Sequence, residues 1–150
     1  MATHIECEVK AIGFVDCCGF SSYTETHGDR AGVRAYLVVR RAIERQATGT
    51  GVAIIKWMGD GAMLAGDDSL AVLGCIYESM LSIRRSGPLP LRAGMTVGTV
   101  FRPPGEEVDY LGAAVNRAAR LCAAAAPWQA RVETREGDHQ LYFTLRPAQR

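Results

Sequence analysis

Apolar positions along the chain fall into short runs of β character alternating with stretches of helical period. From Ile5 to Asp16 the pattern alternates loosely and carries the β-formers Val9, Ile12, Phe14 and Val15 before a polar aspartate and Cys17-Cys18-Gly19, which predicts a central strand ending in a loop. After Gly28-Asp29, residues Tyr36, Val39 and Ile43 recur at i, i+3 and i+7 as far as Thr48-Gly49-Thr50-Gly51, the mark of a helix with one buried face. The apolar runs Val52–Ile55 and Ala62–Ala65 flank Lys56-Trp57-Met58-Gly59-Asp60-Gly61 and predict a hairpin with a polar tip. A second helix starts at Asp67 or Asp68 as N-cap, shows Leu73, Ile76, Tyr77, Met80 and Leu81 on one face, and stops at Ser86-Gly87-Pro88. Leu91 to Phe101 is a further strand, interrupted by Gly94 and Gly98, and glycine in a strand often marks close approach of a ligand or a second backbone. Pro103-Pro104-Gly105 makes a loop, and a third helix opens at Gly112 with the stripe Val115, Ala118, Ala119 and Cys122, closing before Pro127. Trp128 to Val132 and Gln140 to Leu145 read as two short strands around Gly137-Asp138.

The resulting order β, α, β, β, α, β, α, β, β mixes a crossover with hairpins. It predicts an α+β fold of the ferredoxin-like, split-βαβ kind, with an antiparallel-rich sheet covered by helices on one face. At 150 residues the chain makes one domain, 1–150. An apolar fraction of 48% with 22% charged residues and a mean hydropathy of +0.01 exclude a disordered chain and a membrane span. The start Met1-Ala2-Thr3-His4 has no signal-peptide pattern, so a cytoplasmic protein without a membrane segment is expected. Seventeen Lys+Arg against sixteen Asp+Glu give +1, too little for the basic face that nucleic-acid binding requires. Five cysteines without a CxxC pairing argue against a disulfide framework or a zinc site and for free buried thiols. Of the seventeen basic residues only Lys10 and Lys56 are lysines, so each of the two is informative.

Candidate chemistry gathers at a few places. Asp16 and Asp60 each stand at a predicted strand end with glycine close by, and the end of the first strand is expected beside the hairpin tip. They are either turn aspartates or ligands for one or two hard divalent ions, since Mg²⁺ takes one or two carboxylates and fills its shell with water and phosphate oxygens. The Cys17-Cys18-Gly19-Phe20-Ser21 loop leads toward a helix start, where backbone N–H groups can cradle phosphates. Asn116 and Arg120 are i, i+4 on a helix face away from the apolar stripe, and Asp109 precedes them closely enough for both segments to meet one ligand.

Four blocks together resemble the signatures of class III nucleotidyl cyclases. They are Phe14-Val15-Asp16-Cys17-Cys18-Gly19-Phe20-Ser21, Lys56-Trp57-Met58-Gly59-Asp60-Gly61, Leu91-Arg92-Ala93-Gly94-Met95-Thr96-Val97-Gly98, and Val108-Asp109-Tyr110-Leu111-Gly112-Ala113-Ala114-Val115-Asn116-Arg117-Ala118-Ala119-Arg120. They occur in family order, span Phe14 to Arg120, and give the chain the look of small actinobacterial adenylate cyclase domains. The resemblance implies that Asp16 and Asp60 bind two Mg²⁺ or Mn²⁺ ions against a triphosphate and the ribose 3′-hydroxyl. It implies that Lys56 and Asp109 select the purine, that Asn116 positions the ribose, and that Arg120 stabilises the charged pentacoordinate phosphorus. Arg92 falls where some members place a triphosphate-binding arginine, and the backbone around Cys17, Cys18, Gly19 and Phe20 would hold phosphates.

A Lys donor and an Asp acceptor complement the N1 acceptor and 6-amino donor of adenine, whereas guanine reverses both. The implied reaction is therefore conversion of ATP to 3′,5′-cyclic AMP and pyrophosphate by in-line attack of the 3′-oxygen on the α-phosphorus. Family sites are composite, with the two aspartates from one protomer and Lys56, Asp109, Asn116 and Arg120 from the other, which implies a head-to-tail homodimer with two equivalent sites. The chain departs from the family pattern after Arg120, where thirty residues remain against a usual strand, helix and hairpin. No lysine follows Lys56, so Arg131, Arg135 or Arg146 would stand in for a C-terminal phosphate-binding lysine. Rival readings are a catalytically silent nucleotide-binding or dimerisation module and a guanylate cyclase.

Overall fold

Five consecutive buried residues, Ala11 to Val15, place the first strand between two layers, because a strand covered on both faces reads as a continuous apolar run. A computed structural model describes residues 4–133 and 140–146; the turn expected at Gly137-Asp138 and the candidate Arg135 lie outside the described residues. The elements are β1 (Glu6–Cys17), α1 (Phe20–His27), α2 (Asp29–Ala47), β2 (Ala53–Met58), β3 (Gly61–Gly66), α3 (Ser69–Ser86), β4 (Leu91–Arg102), α4 (Ala113–Ala124), β5 (Gln129–Glu133) and β6 (Gln140–Thr144). They form one six-stranded sheet in the order β2-β3-β1-β4-β5-β6. All neighbours are antiparallel except β4 and β5. Strands β3 and β4 run parallel with β1 inserted between them and α3 as the crossover, which is the split βαβ expected from the element order.

The helices cover both faces of the sheet, not one. A Cβ on Gly13 would meet Ile76 and Val72 of α3, whereas one on Gly94 would come within 2.3 Å of the Cys122 amide nitrogen and 2.4 Å of the Ala118 carbonyl in α4. Because Phe14, not Gly13, pairs with Gly94, α3 and α4 lie on opposite sides of the sheet. One core layer therefore joins Val15, Val39, Ile43, Leu64, Ile76 and Met80 under α2 and α3. The other joins Ile12, Phe14, Met63, Val100, Tyr110 and Ala118 under α4.

Four further expectations are corrected. Phe20–His27 is a helix, not a loop; it follows Gly19 in the left-handed region (φ 73°) and buries no residue fully, so its sequence has no apolar stripe to reveal it. On α3, capped by the Asp68 carboxylate accepting from the Leu70 amide at 2.9 Å, the buried face is Val72, Cys75, Ile76, Ser79, Met80 and Ile83; Tyr77 is exposed. On α4 the inward residues are Ala114, Ala118, Leu121 and Cys122, and Ala119 faces out. Lys56 lies within β2, not in the hairpin tip, which shrinks to Gly59-Asp60. Among the described residues no helix is long and apolar enough to cross a membrane.

Candidate functional site

Asp16 ends β1 between two strands that each contribute something to it. On the β3 side its pairing partner is Gly61, where a Cβ would sit 2.2 Å from the Val15 carbonyl oxygen and 2.7 Å from Asp16 Cβ, so only glycine lets the hairpin approach. The Cys17 amide then donates to the Asp60 carbonyl at 3.2 Å, which brings the Asp60 residue beside the end of β1 as the sequence predicts. On the β4 side the partner is Arg92. Its Nε donates to Asp16 Oδ1 at 2.8 Å, its Nη2 to Oδ2 at 3.4 Å, and its Nη1 to the Ala123 carbonyl at the end of α4 at 2.9 Å. A bidentate arginine is a strong charge-assisted pair, so Arg92 ties the carboxylate of Asp16 to the last turn of α4.

Asp16 and Asp60 open onto a cleft of about 200 Å³ walled by Phe14, Met58, Ala119 and Cys122. Burial first, and the charge of Asp16 second, hold the Asp60 carboxyl above its ordinary value. Burial likewise pushes the thiols of Cys17 and Cys122 up to about 12, with the nearby aspartates adding to the shift. Both therefore stay protonated near neutral pH and are poor nucleophiles and poor metal ligands. The five cysteines are free, as expected, but only Cys17, Cys75 and Cys122 are buried; Cys7 is exposed and Cys18 half-buried. Among the described residues no group of three or more His, Cys, Asp or Glu converges. Two carboxylates without further protein ligands suit a hard cation that completes its shell with water and phosphate oxygens.

Lys56 and Asp109 meet at a second place. A β-bulge between Ile54 and Lys56 shifts the register, so Ile54 packs under α2 and α3 while Lys56 turns to the α4 face beside Met63. The segment between β4 and α4 folds back across that face. Leu111 and Phe101 exchange two backbone hydrogen bonds of 2.8 Å, the Tyr110 ring is buried, and the Tyr110 amide donates to Asp109 Oδ1 at 2.8 Å. Lys56 Nζ then lies 3.3 Å from each Asp109 carboxylate oxygen, at a cavity of about 560 Å³ that also has Lys10, Ala65 and Tyr110 in its wall.

The two clefts share no lining residue. Within one protomer the structure brings Asp16, Asp60 and Arg92 together, brings Lys56 and Asp109 together, and keeps the two sets apart. Asn116 and Arg120 are exposed on α4, and Arg120 Nε reaches the Asn116 carbonyl at 3.5 Å. Of the loop residues proposed for phosphate, Cys18 uses its amide on the Pro90 carbonyl at 2.8 Å and Cys17 uses its amide on Asp60, which leaves Gly19 and Phe20 at the start of α1. Arg131 Nε binds Gln129 at 3.1 Å, and the Arg146 carbonyl accepts from Arg84 at 2.9 Å. Lys10 and Glu8 escaped the sequence reading, although the scarcity of lysine pointed at Lys10 as much as at Lys56.

The crystal structure of the guanylyl cyclase Cya2 superposes with a TM-score of 0.78 over 85% of this chain and 76% of that one, at 23% identity. The adenylyl cyclase CyaB from P. aeruginosa gives 0.72 over 87% and 79%, at 19% identity. The chain has the class III nucleotidyl cyclase fold. A bacterial light-regulated adenylyl cyclase shares the cyclase fold with a TM-score of 0.79 over 87% of this chain and 44% of that one, at 22% identity. In sequence the chain is 30% identical over 119 residues to uncharacterized proteins of Mycobacterium tuberculosis and Mycobacterium bovis. That match covers 79% of this chain and 31% of theirs, so the chain spans about a third of the length of these curated relatives. No model of a known protein family matches the sequence. Set on the cyclase fold, both clefts lie on the α4 side of the sheet, one at the Asp16 end of β1 and the other beside Lys10.

Proposed function

We propose that the chain forms one catalytic domain, an adenylate cyclase that converts ATP to 3′,5′-cyclic AMP and pyrophosphate at sites shared across a cytoplasmic head-to-tail homodimer. The observation that supports this reading best is that two pairs of candidate residues fall in separate clefts on one face of a cyclase-fold protomer, Asp16 with Asp60 and Lys56 with Asp109. A second copy set head to tail joins the acidic half of one protomer to the Lys56 half of the other.

In the reaction the ribose 3′-oxygen loses its proton to solvent water and forms a bond to the α-phosphorus as the bond to the pyrophosphate leaving group breaks. Asp16 and Asp60 would hold two divalent ions, Mg²⁺ or Mn²⁺, which when bound would acidify the 3′-hydroxyl and neutralise charge at the leaving group. The chain does the rest by positioning and electrostatics. Arg92, already seated on Asp16, adds positive charge for the triphosphate, together with the backbone of Gly19 and Phe20. Asn116 orients the ribose, and Arg120 offsets the charge that develops on the equatorial oxygens. Lys56 donates to adenine N1 and Asp109 accepts from the 6-amino group; guanine presents the reverse pattern, and each mispaired buried group costs about 1–3 kcal/mol.

The test is incubation of the purified chain with Mn²⁺ and either ATP or GTP, with chromatographic identification of the product. Cyclic AMP that rises more than linearly with protein concentration is expected. Cyclic GMP as the main product overturns the adenine reading, and no cyclic product at concentrations where sizing shows a dimer overturns the enzyme.

A further inference from the structure

Asp16, the candidate metal ligand at the end of β1, already holds a cation that belongs to the chain itself. The Arg92 guanidinium donates from Nε to Asp16 Oδ1 at 2.8 Å and from Nη2 to Oδ2 at 3.4 Å, so each carboxylate oxygen has an acceptor position filled. Both side chains are mostly covered, 31% exposed for Arg92 and 28% for Asp16. A further donor, Nη1, reaches the Ala123 carbonyl at 2.9 Å, and Ala123 lines the same cleft as Asp16 and Asp60. No basic residue stands in the last turn of α4, so Arg92 also supplies the positive charge that suits that helix end. Asp60 is placed differently: among the described residues no ion pair reaches its carboxylate.

The two aspartates are therefore unequal toward a divalent ion. A small hard cation such as Mg²⁺ takes a carboxylate oxygen at about 2.1 Å. With Arg92 Nε held 2.8 Å from Asp16 Oδ1, a cation on that oxygen and the guanidinium nitrogen stand at most about 5 Å apart. Like charges at such range in a partly covered cleft repel strongly. A triphosphate changes the balance, because the planar fork of arginine fits phosphate as well as it fits carboxylate.

We propose that Arg92 gates Asp16: in the nucleotide-free protomer it withholds that carboxylate from divalent ions, and a triphosphate releases it by drawing the guanidinium onto its own oxygens. Asp60 is the ligand open at rest, and Asp16 joins it only when nucleotide is present. The bond from Nη1 to Ala123 does not involve Asp16, so it keeps the guanidinium at the cleft during the exchange. The inference rests on the adenylate cyclase reading and deepens it, since it makes loading of the metal side depend on substrate.

The experiment measures Mn²⁺ binding without nucleotide, through loss of the free-ion electron paramagnetic resonance signal, in wild type, Arg92→Gln, Asp16→Asn and the double variant. Arg92→Gln is expected to tighten Mn²⁺ binding roughly 10- to 100-fold where Asp16 is present, and about 5-fold or less in the Asp16→Asn background. Equal gains in the two backgrounds reduce Arg92 to general charge and overturn the gate, as does an unchanged affinity. Wild-type protein gives a second reading that does not depend on a variant holding its fold. It is the Arg92 Nε–H resonance in isotope-labelled protein, assigned with Arg92→Lys. Mg²⁺ alone is expected to leave that resonance in place, and Mg²⁺ with 3′-deoxy-ATP, which lacks the attacking hydroxyl, is expected to shift it. A shift with Mg²⁺ alone overturns the gate, and no shift with a nucleotide that binds overturns the release. A wild type that neither binds 3′-deoxy-ATP nor forms a cyclic nucleotide sinks the cyclase reading and the release with it, whereas a working cyclase with equal gains sinks only the gate.

Discussion

Replacing Gly61 by alanine tests whether the close approach of the hairpin to β1 is what places Asp60 beside Asp16. A Cβ there stands 2.2 Å from the Val15 carbonyl oxygen, 2.7 Å from Asp16 Cβ and 2.9 Å from Asp16 Cα. Two of these atoms are backbone and the third is fixed to it, so no side-chain rotation relieves the clash. Carbon and carbonyl oxygen normally come no closer than about 3.3 Å, so the strands must part by roughly 1 Å. Overpacking of this kind costs about 1–3 kcal/mol, which in a chain of this length lowers Tm by roughly 2–12 °C. A displacement of about 1 Å between reacting groups can cost ~100-fold in turnover, so cyclic nucleotide formation falls further than stability does. Gly74 provides the control: it lies in α3 with nothing within 4 Å of a Cβ, and Gly74→Ala raises stability by about 1 kcal/mol through helix propensity. The assays are thermal unfolding and product formation on both variants. A Gly61→Ala protein that melts at or above wild type refutes the reasoning.

Three further outcomes are expected. Asp60→Asn loses turnover without loss of the dimer by sizing, yet melts higher than wild type at neutral pH without divalent ions. Folding favours the protonated form of Asp60, so wild-type stability declines as pH rises from the ordinary value of 3.8 through the higher folded-state value; the gap between the two proteins must close toward acid pH, and a constant gap contradicts the origin assigned to it. Mixing inactive Asp16→Ala and Arg120→Ala chains is expected to restore one intact site per heterodimer, and no recovery in a mixed-dimer assay counts against sharing across the interface. Asp109→Ala is expected to lower the ATP:GTP ratio of kcat/KM by about 1–3 kcal/mol, or roughly 5- to 150-fold; steady-state kinetics with both nucleotides check this.

What the sequence made legible, and what it hid, follows from how each signal arises. Asp16 and Asp60 were expected to converge because a strand end and a hairpin turn are local features, and the Asp16–Gly61 pairing bears this out. The split βαβ was accessible from the order of elements, whereas the strand order was not, because the pairings β1–β3, β1–β4 and β4–β5 join strands separated by helices. The helices on two faces were misread although Ala11-Ile12-Gly13-Phe14-Val15 already lacked the polar alternation of a one-sided strand. Helix α1 hid because it buries no residue fully. The face of α3 was read from its large side chains, Leu73 and Tyr77, whereas the observed contact uses Val72, Cys75 and Ser79, whose small size lets the helix lie close. The orientation of Lys56 had no local signal at all. Simple alternation puts it on the same face as Ile54, and only the bulge reverses it.

The β2–β3 hairpin carries Lys56 in one strand and Asp60 at its turn, four residues apart, and the two open onto different clefts. In the proposed dimer with shared sites, that hairpin has one arm in each centre. In that proposed dimer a displacement of the hairpin reaches both centres at once, because its strand and its turn are one rigid unit of backbone pairing. A lesion that stiffens or displaces the hairpin degrades both centres from a single chain, whereas loss of one side chain degrades one.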